Sequence, residues 1–189
     1  WWKALEFCNK LSEKYGLEPV YDLSKSEQGI LMIKELGEKI VSPDKANFKN
    51  TEGFRLPTEV EWEWFARGGQ IAIEQGTFNY TYSGSNNIDE VAWYIENSGE
   101  TYNVGLKKPN QLGLYDCAGN VWEWCYDTTE NIEEGKNYIY KAFDSSNIYR
   151  RLKGGAWGDV AEDCAVLSRS FNQAVDAYSD VGLRIVRTI

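Results

Sequence analysis

Gly119-Asn120-Val121-Trp122-Glu123-Trp124 decides how this chain is read. A glycine and an asparagine, both tolerant of left-handed backbone, lead into Trp-Glu-Trp. In a strand, residues two apart share a face, so the two rings point one way and the carboxylate the other. The ordinary role of such rings is core packing. Two further segments frame it. Upstream, Gly53-Phe54-Arg55-Leu56-Pro57-Thr58-Glu59-Val60-Glu61-Trp62-Glu63-Trp64 approaches in extended form, because the residue before proline avoids the helical region. It then predicts a helix: Thr58 with Glu61 three later is a capping box, Val60, Trp64 and Phe65 supply an apolar stripe, and Gly68-Gly69 ends it. Downstream, Arg151-Leu152-Lys153-Gly154-Gly155-Ala156-Trp157 is followed by Arg169 and Gly182-Leu183-Arg184.

Working outward, Trp1, Ala4, Leu5, Cys8, Leu11 and Tyr15 recur at helical spacing over 1–15, with Gly16 as the stop. Leu31–Ile33 suggests a short strand and Ser42-Pro43-Asp44 a turn. Other strand candidates are 121–126, 151–157, 164–169 and 183–188, with Gly-, Asn-, Ser- and Asp-rich loops at 83–89, 97–100 and 127–136. The expectation is one α+β domain over 1–189, with two helices early and twisted antiparallel strands joined by long loops after. Eight Trp and twelve Tyr suit both a core without long elements and a recognition surface.

Composition removes several classes of function. A net charge of −9 argues against nucleic acid, which calls for clustered cations. No apolar run approaches the ~20 residues of a membrane span, and no signal peptide is visible. With no His, Ser-His-Asp and Cys-His catalysis are excluded, as is any His-bearing zinc site. Cys8, Cys117, Cys125 and Cys164 read as buried thiols; the alternative is one disulfide, with Cys125–Cys164 the preferred pair.

The three segments, in this order and across essentially the whole chain, resemble the formylglycine-generating-enzyme (sulfatase-modifying-factor) family, which has a C-type-lectin-like fold. The resemblance implies an N-terminal part of the family domain upstream of Trp1, and with it any targeting or lipid signal. The family's enzymes carry a Cu(I)-binding Cys pair, the first four residues after the Gly-Gly and the second five further on. Here these positions are Asp159 and Cys164. One thiolate and one carboxylate make a poor Cu(I) site, since soft ligands select it, and the iron-using members are His-rich. Catalysis is therefore not expected.

From Gly154 to Arg184 the spacing is similar to a subgroup, the variable proteins diversified by retroelements, with the treponemal branch nearest. That resemblance makes Gly154-Gly155-Ala156-Trp157, Ala161, Cys164-Ala165-Val166, Arg169 and Gly182-Leu183-Arg184 a fixed frame, with Ala156, Leu183 and Ala174 departing from it. Region 151–189 becomes the variable region. The ligand-binding positions it implies are Gly158, Asp159, Val160, Glu162, Asp163, Ser168, Ser170, Phe171, Asn172, Gln173, Asp176, Tyr178, Ser179 and Asp180. Their chemistry follows neither a strand nor a helix period, which suits a surface selected for binding; on composition alone they equally suit an ordinary polar loop. Phe171 and Tyr178 are the expected energetic anchors, and the acids favour a basic or polar macromolecular partner. The implied setting is a bacterial cell surface, lipid-anchored through the N-terminal part. The enzyme family's pattern also implies a structural calcium on Asp116, Gly119, Val121 and Glu123, the alternative being local hydrogen bonding only; no other cofactor is expected. The competing readings are a binding protein, a formylglycine-generating oxidoreductase using Cys164, and an accessory domain with no diversified site.

Overall fold

A computed structural model describes residues 1–21, 23, 52–129 and 149–187. The expected strand at 31–33 and turn at 42–44 lie outside the described residues. The first helix, α1 (Trp2–Lys14), turns Trp2, Ala4, Leu5 and Cys8 inward. The second, α2 (Glu59–Ala66), starts at the expected capping box: Thr58 accepts from the Glu61 amide, and the Glu61 carboxylate accepts from the Thr58 amide at 2.9 Å. Gly68, at φ 87°, ends one helix and opens another, α3 (Gly69–Glu74); a short turn, α4 (Ile88–Val91), follows.

Six strands are present among the described residues. A small sheet pairs β1 (Phe54–Arg55) with β6 (Val186–Arg187). The main sheet has the order β4-β3-β2-β5, from β2 (Trp122–Thr128), β3 (Tyr149–Lys153), β4 (Ser170–Gln173) and β5 (Val181–Leu183). Three expectations change here. The pairing is not wholly antiparallel, because β5 lies parallel to β2. Residues 164–169 are not a strand: a 3₁₀ turn (Ala161–Cys164) and irregular backbone occupy them, and pairing starts at Ser170. The 183–188 candidate divides between β5 and β6.

Strand β2 is buried along its length, as befits a central strand covered on both faces. Trp122, Trp124 and Tyr126 pack with Leu152 against Trp1, Trp2, Leu5 and Cys8 of the α1 side. Glu123, Cys125 and Asp127 face α2. The Trp62 indole donates to Glu123 Oε2 at 2.7 Å, and Asp127 Oδ2 accepts from the Glu59 amide at 2.6 Å. The alternation expected from Trp-Glu-Trp is thus observed. All four cysteines are buried free thiols, and the Cys125–Cys164 bridge does not form. The two sit in different clusters, Cys125 with Trp62 and Cys164 with Tyr94.

Candidate functional site

The Gly154-Gly155 turn leads into the expected variable region. Both residues have φ in the left-handed range (99° and 75°), and a Cβ on Gly155 would lie 2.7 Å from Cys164 Sγ. The chain therefore folds tightly over Cys164, which is fully buried. Burial, then Asp159 and Asp163, push its thiol up to about 12. Asp159, at the position where the enzymes have their first cysteine, turns inward: its Oδ2 accepts from the Ala156 amide at 2.8 Å. Burial raises the Asp159 carboxyl above the usual carboxylate range, with Asp163 and Asp180 adding to the rise. A neutral thiol beside an acid differs from the two thiolates that hold Cu(I).

None of the fourteen expected ligand-binding residues is buried. Gly158, Val160, Glu162, Phe171, Tyr178 and Ser179 are exposed, and Asp159, Asp163, Ser168, Ser170, Asn172, Gln173, Asp176 and Asp180 are half-buried. Between them the frame's Cys164 and Val166 are buried, as is Ala174, whereas Ala161 and Ala165 are half-buried and Arg169 is exposed.

The structure sorts these residues into two groups. The first spans 158–163 and 176–180 and is tied to one end of β2. The Asp180 carbonyl accepts from the Trp122 amide at 2.8 Å, and the Asp159 carbonyl accepts from the Ile95 amide at 3.0 Å. Tyr178 donates to Asp176 Oδ2 at 3.4 Å, and the Asp176 charge raises its phenol. The second group lies on β4, the last strand of the order among the described residues, where Phe171 meets Tyr149 edge-on with centroids 5.3 Å apart. No hydrogen bond, ion pair or ring contact among the described residues joins Phe171 to Tyr178. Phe171 lies on β4, and Tyr178 lies in the turn between β4 and β5, whose Asp176 amide donates to the Gln173 carbonyl at 3.0 Å.

The residues implied for calcium do meet at one loop–strand junction. Asp116 (φ 55°) and Gly119 (φ 70°) shape it. Three of the four carboxylate oxygens already accept hydrogen bonds. Glu123 Oε1 accepts from Arg184 at 2.7 Å, and Oε2 accepts from Arg184 Nε at 2.9 Å as well as from Trp62. Asp116 Oδ2 accepts from the Gly105 amide at 2.7 Å, and Oδ1 alone is without a hydrogen bond. Of the carboxylate oxygens, Asp116 Oδ1 is the one left open, beside the Gly119 and Val121 main chain and the Arg184 guanidinium; a calcium ion takes six to eight oxygens. Among the described residues, no three His, Cys, Asp or Glu side chains cluster as metal ligands.

Sequence reading missed the charged layer beneath the variable region. Glu59 is buried and accepts from Arg169 Nη2 at 2.8 Å, with Arg151 Nε 3.4 Å away. Lys153, fully buried, lies 3.6 Å from Glu63, and burial lowers its pKa. The available signal was cations at three of five β3 positions (Arg150, Arg151, Lys153). A buried strand so charged must face acids, and α2 offers Glu59 and Glu63.

This frame, a two-faced twisted sheet with a double-glycine turn feeding an irregular C-terminal region, is that of a sulfatase-modifying-factor protein. The chain belongs to the sulfatase-modifying factor enzyme 1-like domain family, whose profile matches residues 1–189. It has the C-type-lectin-like fold. Among solved structures, Treponema denticola variable protein 1 superposes with a TM-score of 0.76 at 37% identity, covering 98% of this chain and 68% of that one. Chaperone protein LppX of Paenibacillus barcinonensis is 33% identical over 217 residues, 100% of this chain and 68% of its own length. The formylglycine-generating enzyme of Thermomonospora curvata is 39% identical over 95 residues, 44% of this chain and 30% of its own. The expected likeness to both the enzyme family and the treponemal variable proteins is therefore found. No helix among the described residues is long and apolar enough to cross a membrane.

Proposed function

We propose that this chain is a binding domain presenting a variable surface, not a catalyst. The observation that carries this reading is the partition of region 151–187. Every expected variable position reaches solvent, while Gly154, Gly155, Ala156, Cys164 and Val166 of the frame are buried; the frame's Arg169 and Leu183 are exposed. Side chains that touch water rather than core can change without loss of fold. The similarity to Treponema denticola variable protein 1 supports it. Diversification by a retroelement, display on a bacterial surface through a lipid anchor, and a macromolecular partner of basic or polar character belong to the same proposal; the acids at 159, 162, 163, 176 and 180 support the last.

The alternative is a formylglycine-generating oxidoreductase. The enzyme relatives and the retained Cys164 favour it; the inward-turned Asp159 opposes it. Two experiments decide. Sequencing the 3′ end of the gene in many isolates is expected to show changes concentrated at the fourteen positions, with a near-identical template repeat and a reverse transcriptase nearby. Evenly spread changes overturn the reading. Incubation with copper and a sulfatase-motif peptide is expected to leave the peptide mass unchanged; conversion of its cysteine would establish the enzyme.

A further inference from the structure

Strand β4 poses a problem of register. Ser170-Phe171-Asn172-Gln173 has no apolar alternation and sits at the end of the strand order among the described residues. A one-residue slip would turn every side chain to the other face, and only a buried apolar set ordinarily forbids that. If these positions vary, their side chains cannot supply such a set.

Arg169, the residue before β4, offers a different anchor. Its Nε and Nη2 both donate to the Glu59 carboxylate, one oxygen each. A two-point fork fixes orientation as well as distance. Glu59 is itself held. It is 1% exposed, its own amide donates to Asp127, and it lies in the first turn of capped α2. The pair is buried on the Glu59 side and open to water on the Arg169 side, and the best-attested use of such a fixed ion pair is to specify one arrangement over others.

We propose that Glu59 is a positioning residue that fixes the register of β4 through Arg169, so that the flanking positions can change without loss of fold. This rests on the reading of a variable surface. It makes Glu59, remote in sequence and inaccessible to any ligand, a condition of that surface's diversity.

The test displays the full chain with Ser168, Ser170, Phe171 and Asn172 randomised together, in native and Glu59→Gln backgrounds, and measures protease resistance clone by clone. In the native background most clones are expected within about threefold of the parent, and in Glu59→Gln the spread is expected to exceed about tenfold. Glu61→Gln, which loosens the Arg55 pair on the same helix (2.7 Å), is the control and should shift all clones alike. Should the Glu59→Gln parent fail to fold, Arg169→Lys, which keeps the charge and loses the fork, is expected to broaden the spread in the same way. Equal spread in all backgrounds overturns the clamp alone. A native background that rejects most clones overturns the variable surface, and the clamp's purpose with it.

Discussion

Gly155→Ala tests the frame most directly. Gly155 has φ 75°, and a Cβ there would stand 2.7 Å from Cys164 Sγ, 2.9 Å from the Asp163 carbonyl oxygen and 2.9 Å from Cys164 Cα. Two costs add. Left-handed backbone costs an L-residue about 1–2 kcal/mol. Forcing a methyl into a closed site costs about 1–3 kcal/mol more. The expected loss is about 2–5 kcal/mol, a large share of the ~5–15 kcal/mol that holds a domain folded. Cys164→Ala removes the sulfur but leaves the backbone contacts with Asp163 and residue 164. It should therefore rescue only part of the loss. Urea unfolding of both single variants and the double should give a coupling of about 1 kcal/mol, the double being less destabilised than the sum. A Gly155→Ala variant within about 0.5 kcal/mol of the parent would refute the close approach, because surface changes alone stay inside that range. Strict additivity would show that the two groups do not touch.

Burial pushes the Asp127 carboxyl up to about 7, so its neutral form is preferred in the folded chain. Its contribution is fully present below the ordinary carboxylate range and is lost as pH rises through about 7. Asp127→Asn should therefore gain on the parent by more than about 1 kcal/mol between pH 5 and pH 8 in thermal melts; no relative gain would contradict this. The four thiols are buried, so a thiol reagent should label none in the native chain and all four in urea, without reductant. Millimolar calcium should leave the melting temperature unchanged, because Arg184 holds Glu123; a rise would show a cation displacing it. Once a ligand is in hand, losses from Phe171→Ala and Tyr178→Ala should add in titration calorimetry, since Phe171 meets Tyr149 and Tyr178 meets Asp176, and groups without shared partners act independently. Strong non-additivity would place the two in one patch.

The parts legible in the sequence were those a short rule governs. Thr58 and Glu61 made a capping box because the spacing permits nothing else so local, and Trp122-Glu123-Trp124 alternated because a strand must. The charged layer was not legible. Glu59 and Arg169 are 110 positions apart, and no local period links them. Each alone reads as a surface residue. The parallel β5 escaped for a related reason. Val181-Gly182-Leu183 carries no signal of direction, and a three-residue strand takes its orientation from the crossover that delivers it. The misplaced strand at 164–169 shows apolar content overruled by geometry: Cys164 and Val166 are buried, but they point inward from a 3₁₀ turn and a loop rather than from a ladder.

The division of the variable positions bears on what could bind them. Strands β4 and β5 lie at opposite ends of the order β4-β3-β2-β5, three spacings apart, or about 14 Å at ~4.8 Å per spacing. Phe171 belongs to the first end, and Tyr178 leads into the second. On the proposed binding reading, a protein footprint of ~800 Å² per partner reaches both strands. The half-buried acids Asp159, Asp163 and Asp180 lie toward the β2–β5 end, while Asp176, whose amide donates to the Gln173 carbonyl at 3.0 Å, adjoins β4. These acids would steer and orient a partner, while the aromatic edge of Tyr149 and Phe171 supplies apolar contact. On that reading, a surface carrying both characters favours a macromolecule whose own charge is lopsided.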